Sequence, residues 1–245
     1  MCRHLAYLGP PVPLAGPLFD APHSLERQSW APRDMRGGGT INADGFGIGW
    51  YTPDGALVRY RRDRPLWSLS DLPALAASIH AGAFLAAVRS ATVGMPITET
   101  AAAPFAGDGW LFSHNGRVTG WPDSAAALPV PPRDLLTLDA PTDSALLWTL
   151  VRTRLRTGMP LDAALADVVA LVSAAAPGSR LNLLVTDGTT IAATTCGHSL
   201  SVHAEPGRVL VASEPLDPSP AWQPVPDGTL LTATATTVNL RSVES

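Results

Sequence analysis

Lysine is missing from all 245 residues, and the 17 basic side chains are arginines. That removes Schiff-base and pyridoxal chemistry, any lysine general base and the lysine of a nucleotide-binding phosphate loop. Cysteine occurs only at Cys2 and Cys196, too few for a disulfide framework, so a reducing cytoplasm is the expected compartment. Charged residues make up 16% of the chain and the formal net charge is −4, without the basic excess that nucleic-acid binding needs. No apolar run is long enough to span a bilayer, and Arg3 and His4 are not followed by the apolar stretch of a signal peptide. A globular chain with 46% hydrophobic residues remains, long enough for a sizeable core. With no internal repeat and no long polar linker, residues 2–245 are expected to form a single domain.

Hydrophobic periodicity predicts a strand over residues 2–9, stopped by Gly9-Pro10-Pro11. A loop with one short helix near Leu25 follows, then a strand within residues 36–51 whose glycines at 45, 47 and 49 leave one face bare. Such a face admits another backbone or a ligand. Strands are expected at 57–61, 84–90 and 110–113, the last ending in a turn at His114-Asn115-Gly116, with a short helix over 71–80. After a Pro-, Ala- and Asp-rich loop at 121–141, apolar residues at helical spacing predict helices over 143–157 and 161–174. Five short strands follow, at 181–186, 190–195, 199–203, 208–212 and 229–234. Strands in both halves with two helices between them indicate an α+β fold: two sheets packed face to face and covered by helices.

The first residues carry the most chemistry. Trimming of Met1 would leave Cys2 with a thiol and a free α-amine on one residue. An ordinary thiol is mostly protonated at neutral pH, and an α-amine with a pKa near ~8 is suited to accept its proton. Read alone, Cys2 is first of all a small buried strand residue. Arg89 closes an apolar strand: it is either where the chain meets water or a planar guanidinium suited to a carboxylate, with Thr92 and Gly94 as donors beside it. His114-Asn115-Gly116 reads as a β-turn or as an amide and a glycine N–H suited to a developing oxyanion. Asp143 stands where a helix N-cap is expected, or where a carboxylate faces an ammonium group. Cys196, His198 and His203 match no strong metal-ligand spacing, and His4, two residues from Cys2 on its strand, is read as structural. Trp30, Trp50 and Trp121 fall in or beside loops, where aromatic faces suit a bound cation or ordinary packing.

In chain order, Cys2, then R-x-A-T-x-G over 89–94, H-N-G over 114–116 and T-D-S over 142–144 resemble the class II glutamine amidotransferase domain, a family of N-terminal-nucleophile hydrolases. The resemblance implies a four-layer αββα sandwich with two mostly antiparallel sheets. It implies Cys2 as nucleophile with its α-amine as base, Asn115 and Gly116 as the oxyanion hole, and Arg89, Thr92 and Asp143 as the binding set for a glutamyl head group. No cofactor and no metal are expected, and the partner is a small-molecule γ-glutamyl substrate, with no nucleic acid and no membrane. Val93 stands where members that feed ammonia to a synthase usually carry histidine, and no synthase domain is read in this chain. The opening M-C-R-H-L-A-Y-L-G and the run N-A-D-G-F-G-I-G-W-Y are similar to a narrower branch, the stand-alone γ-glutamyl hydrolases of ergothioneine biosynthesis. That branch implies cleavage of γ-glutamyl-hercynylcysteine S-oxide through a glutamyl thioester on Cys2. A glutaminase subunit serving a separate synthase, and an inactive binding module of the same fold, are the alternatives.

Overall fold

The computed structural model describes residues 2–36 and 41–243, so Met1 and the Gly37–Thr40 part of the glycine-rich stretch lie outside the described residues. Among these residues the strands begin with β1 (Arg3–Pro13), β2 (Phe46–Tyr51), β3 (Leu57–Arg62), β4 (His80–Val88), β5 (Phe105–Gly107) and β6 (Trp110–Arg117). They continue with β7 (Arg180–Thr186), β8 (Ile191–Thr195), β9 (Ser201–Glu205), β10 (Arg208–Ala212), β11 (Trp222–Pro224), β12 (Thr229–Ala233) and β13 (Val238–Ser242). The helices are α1 (Leu25–Trp30), α2 (Leu72–Ser78), the single turn α3 (Pro132–Leu135), α4 (Asp143–Arg156) and α5 (Leu161–Ala175).

One sheet has the order β11-β9-β10-β1-β4-β2-β3 and the other β13-β12-β8-β7-β6-β5. The paired strands run antiparallel throughout. Alternation along β1 sorts its side chains between two cores. Leu5 and Tyr7 pack outward against Leu14, Leu18, Leu25 and Phe84. Ala6 and Leu8 point inward, to a core shared with Leu184 and Leu231 of the second sheet. On the far side, α4 and α5 lay Leu147, Val151, Leu165 and Val168 over Phe112, Leu183 and Val185 of that sheet. The result is the expected αββα layering, with the inter-sheet face of β1 and β6 as its centre.

Tertiary context overrides several local signals. β1 does not stop at Gly9: after a register shift between Leu8 and Val12 it pairs again with β4, through Val12↔Ala81 and Pro13↔His80. Its other neighbour, β10, is paired only along Leu5–Leu8. Beyond Leu8 that side is an edge, and a proline without an N–H is tolerated there. His114-Asn115-Gly116 is not a turn. β6 runs through it to Arg117, with Asn115 opposite Asn182 and Gly116 opposite Leu181 on β7. The helix cap is Thr142, whose Oγ1 accepts the Ala145 N–H at 3.2 Å, so Asp143 is the first helical residue and its carboxylate is free for other bonds. The short edge strands β5, β11 and β13 carry too little alternation to be read from sequence, and the 121–141 stretch contains α3 and a 3₁₀ turn at Asp123–Ala127.

The bare glycine face of β2 receives protein, not a ligand. A Cβ on Gly47 would sit 2.4 Å from the Ala103 carbonyl oxygen, and one on Gly49 would sit 2.5 Å from a Leu111 methyl. The first obstacle is backbone and the second is the end of a side chain that can rotate. Gly47→Ala is therefore expected to lower stability by roughly 1–3 kcal/mol. Gly49→Ala should cost less than Gly47→Ala, and the two urea midpoints, measured side by side, check the ranking.

Candidate active site

Cys2 lies just ahead of β1, half-buried, with both ends of its backbone held. Its N–H donates across the sandwich to Asn115 Oδ1 at 3.0 Å, and its carbonyl accepts from Arg3 Nη1 at 3.0 Å. The first bond joins the two sheets, since Cys2 leads into β1 and Asn115 is on β6. It also divides the Asn115 amide: the oxygen is occupied, while Nδ2 is buried and has no partner among the described residues. A buried, unpaired N–H₂ group is a donor lacking an acceptor.

Gly116 adds a second donor on the same strand. The Leu181 N–H opposite it turns away, to the Cys196 carbonyl at 2.9 Å. Directly opposed residues of an antiparallel pair exchange both bonds or neither, so the Gly116 N–H is not given to Leu181. Only glycine fits here, because a Cβ would fall 1.9 Å from the Arg180 carbonyl oxygen. His114, between Ser113 and Asn115, faces the helix side and fixes this strand end. Its Nε2 bonds the Arg180 carbonyl at 2.9 Å and so carries the proton, leaving Nδ1 facing the Ser144 hydroxyl at 3.0 Å. Burial pushes the His114 pKa below the ordinary value, which favours this neutral form.

Arg89 reaches the same cleft, a narrow hollow of about 20 Å³ lined by Cys2, Gly45, Arg89, Ser113, His114 and Ser144 among others. It is 8% exposed, and Nη1 donates to the Pro96 carbonyl at 2.9 Å. The Asn42–Gly45 run shapes this approach. Asp44 accepts the Ala91 N–H at 2.8 Å, and Gly45 takes φ +140°, where a Cβ would come 3.1 Å from the Arg62 carbonyl oxygen. Thr92 lies outside the cleft and lines an adjoining groove with Gly94, Pro96, Arg117, Gly120 and Trp121. Asp143 is buried on the wall between the two. Its carboxylate accepts the Val118 N–H at 2.9 Å and the Ser144 N–H at 2.7 Å; Val118 lines the groove and Ser144 the cleft. Cys2 and Arg89 thus line one cleft and Asn115 is bonded to Cys2, with Gly116 next along the strand and Asp143 and Thr92 on the groove side.

Sequence reasoning passed over the groups behind Cys2. Arg3 is 1% exposed, and its Nε and Nη2 both lie 3.0 Å from Glu214 Oε1. Glu214 also accepts from His23 Nε2 at 2.6 Å, from the Arg33 N–H at 2.9 Å and from the Asp34 N–H at 3.2 Å. Burial alone would raise the Glu214 pKa, but the bonds from His23 and Arg33 and the charge of Arg3 hold it below the usual carboxylate range. His4, also read as structural, bonds Ser113 Oγ at 3.1 Å across the sheets. The tryptophans are not gathered into a cage. Arg27 sits 4.2 Å over the Trp30 ring, Trp50 packs on the outer core, and only Trp121 borders the groove. A separate hollow of about 270 Å³, on the outer face of the first sheet near Tyr7 and Trp222, shares no lining residue with the Cys2 cleft and contains no cysteine.

The sequence model of class II glutamine amidotransferases matches residues 19–206, a span that begins after Cys2. A gamma-glutamyl-hercynylcysteine sulfoxide hydrolase from Mycolicibacterium smegmatis is 41% identical over 227 residues, 93% of each chain. One of the same name from Mycobacterium tuberculosis H37Rv is 39% identical over 245 residues, all of this chain and 97% of that one. The chain belongs to the class II glutamine amidotransferase family. Among solved structures of this family, a glutamine aminotransferase class-II domain protein from Silicibacter pomeroyi matches with TM-score 0.69 at 25% identity, over 99% of each chain. The glutamine PRPP amidotransferase of B. subtilis matches with TM-score 0.67 at 14% identity, over 99% of this chain and 49% of that one, a likeness of fold alone.

Two buried histidines make the fold sensitive to acid. Burial first, then the charges of neighbouring groups, bring the His4 and His198 pKa values down to about 3 from 6.5. Between those values the unfolded chain binds more protons than the folded one. Stability is therefore complete above about pH 6.5 and falls as the pH drops toward 3, by roughly 1.4 kcal/mol per pH unit for each histidine. Urea midpoints taken from pH 7 to pH 4 should show this slope, and His198→Gln should flatten it by about one proton.

Proposed function

We propose that the protein hydrolyses the γ-glutamyl amide of γ-glutamyl-hercynylcysteine sulfoxide, releasing glutamate and hercynylcysteine sulfoxide. The divided Asn115 amide carries the chemical part of this reading, and the two sulfoxide hydrolases, similar over more than nine-tenths of this chain, carry the substrate. Once Met1 is removed, the Cys2 nitrogen is an amine. It donates one hydrogen to Asn115 Oδ1 and keeps its lone pair for the thiol proton.

The Cys2 sulfur attacks the γ-carbonyl carbon, and its proton passes to the α-amine. Asn115 Nδ2 and the Gly116 N–H donate to the oxygen as it becomes negative, and a single donor of this kind is worth roughly 3–4 kcal/mol. The tetrahedral adduct collapses by breaking the carbon–nitrogen bond, and the ammonium returns its proton to the departing cysteinyl nitrogen. Water then attacks the glutamyl thioester, with the amine again as base, and releases glutamate and the free thiol. Arg89 takes the α-carboxylate of the glutamyl group and Asp143, on the wall between cleft and groove, takes the α-ammonium; Thr92, implied for the same head group by the family resemblance, stands apart from Arg89 in the groove. A substrate lacking either charge forfeits a charge-assisted contact with a buried group and is disfavoured.

Purified protein incubated with the conjugate should release glutamate without any second protein, and faster than from free glutamine. Cys2→Ala should abolish release, and Asn115→Ala should lower kcat by roughly 10²–10³-fold. Intact-mass measurement should find the mature chain without Met1. Activity that persists in Cys2→Ala, or a preference for glutamine, would overturn the reading.

A further inference from the structure

The register of β6 on β7 sets Arg117 directly opposite Arg180. Like charges facing each other across an antiparallel pair are destabilising, and a sequence with a free choice avoids them. Neither guanidinium has a carboxylate within ion-pair distance among the described residues, whereas most of the chain's other arginines have an acidic or carbonyl partner. Arg180 is also partly withdrawn from water. Its stem lies over Gly197, where a Cβ would come within 2.8 Å of Cγ, and its Nε is buried with no partner among the described residues. Two adjacent cations, one with a stranded donor, form half of an anion site.

The location is informative. Along β6, Arg117 stands two residues beyond Asn115 and so on the same, inter-sheet face, about 7 Å further along the strand. It is exposed and lines the groove shared with Thr92 and Trp121, while Arg180 is beside it on β7. The unpaired Asn115 Nδ2 marks where the reacting oxygen would lie. In the conjugate, the carbon next to the leaving nitrogen carries the cysteinyl carboxylate, two bonds removed from that nitrogen. Free glutamine, whose leaving group is ammonia, has no such carboxylate.

We infer that Arg117 and Arg180 form the subsite for the carboxylate on the carbon next to the leaving nitrogen, and so select γ-glutamyl amides of α-amino acids over glutamine and over γ-glutamyl amides of simple amines. This rests on the hydrolase reading above and adds a rule for the leaving side. A carboxylate between the two guanidiniums removes their mutual repulsion and supplies an acceptor for the stranded donor, with two-point geometry that one cation cannot offer.

The test uses γ-glutamyl-hercynylcysteine sulfoxide and its analogue with the cysteinyl carboxylate replaced by carboxamide, assayed on the wild-type chain, Arg117→Gln, Arg180→Gln and Arg117→Lys. The wild type should favour the carboxylate by roughly 10- to 100-fold in kcat/KM. Arg117→Gln and Arg180→Gln should erase that preference, chiefly by raising KM for the carboxylate substrate, while turnover of the carboxamide stays near wild type. Arg117→Lys should recover part of the preference. Arg117 is exposed and serves as the variant whose folding is least at risk. Equal losses on both substrates would reduce the pair to a structural role and overturn the inference, as would a wild type indifferent to the carboxylate while cleaving both compounds. No release from either compound would instead defeat the hydrolase reading and the inference together.

Discussion

The bond from the Cys2 nitrogen to Asn115 Oδ1 is the constraint on which the rest depends. The thiol enters from one sheet, and the donors for a negative oxygen come from the other. Neither sheet alone holds a complete set. Their relative position is fixed by the inter-sheet core of Ala6, Leu8, Leu184 and Leu231, and by the close approach that Gly47 permits at the Ala103 carbonyl. Packing density is felt here as chemistry, because a shift of the sheets by a fraction of an ångström moves sulfur against donor.

The ionic group behind Cys2 performs a different task. Burying a guanidinium and a carboxylate is costly unless both are fully hydrogen-bonded. Glu214 meets that condition with the Arg3 side chain, His23 and two backbone N–H groups, and Arg3 with Glu214 and the Cys2 and Asp34 carbonyls. Both members of the desolvated pair are therefore extensively hydrogen-bonded. What it yields locally is orientation: the Cys2 carbonyl has one direction available, and the amine and thiol inherit it.

The candidate site could be proposed from sequence because its motifs are short-range. Cys2, the Arg89–Gly94 loop, Asn115-Gly116 and Asp143 each lie in compact motifs, and the two long helices announce themselves by spacing. The misreadings share one cause. His114-Asn115-Gly116 has the composition of a turn, and Gly9-Pro10-Pro11 that of a strand stop, but long-range pairing with β7 and β4 decides both. Arg3 and Glu214 are separated by 211 positions and Arg117 and Arg180 by 63, and no local pattern links them. The placement of Thr92 and Asp143 on the groove side is likewise a matter of packing, which spacing does not encode.

The Arg33 and Asp34 amides that close around Glu214 tie an otherwise irregular segment to the residue that carries the thiol. Opening of that segment to solvent would strip the carboxylate of two donors and loosen Arg3, and with it the carbonyl of Cys2. Local unfolding there would be coupled to disorder at the reactive terminus, so the exchange rate of two peptide hydrogens, some thirty positions downstream, would gauge how firmly that terminus is set.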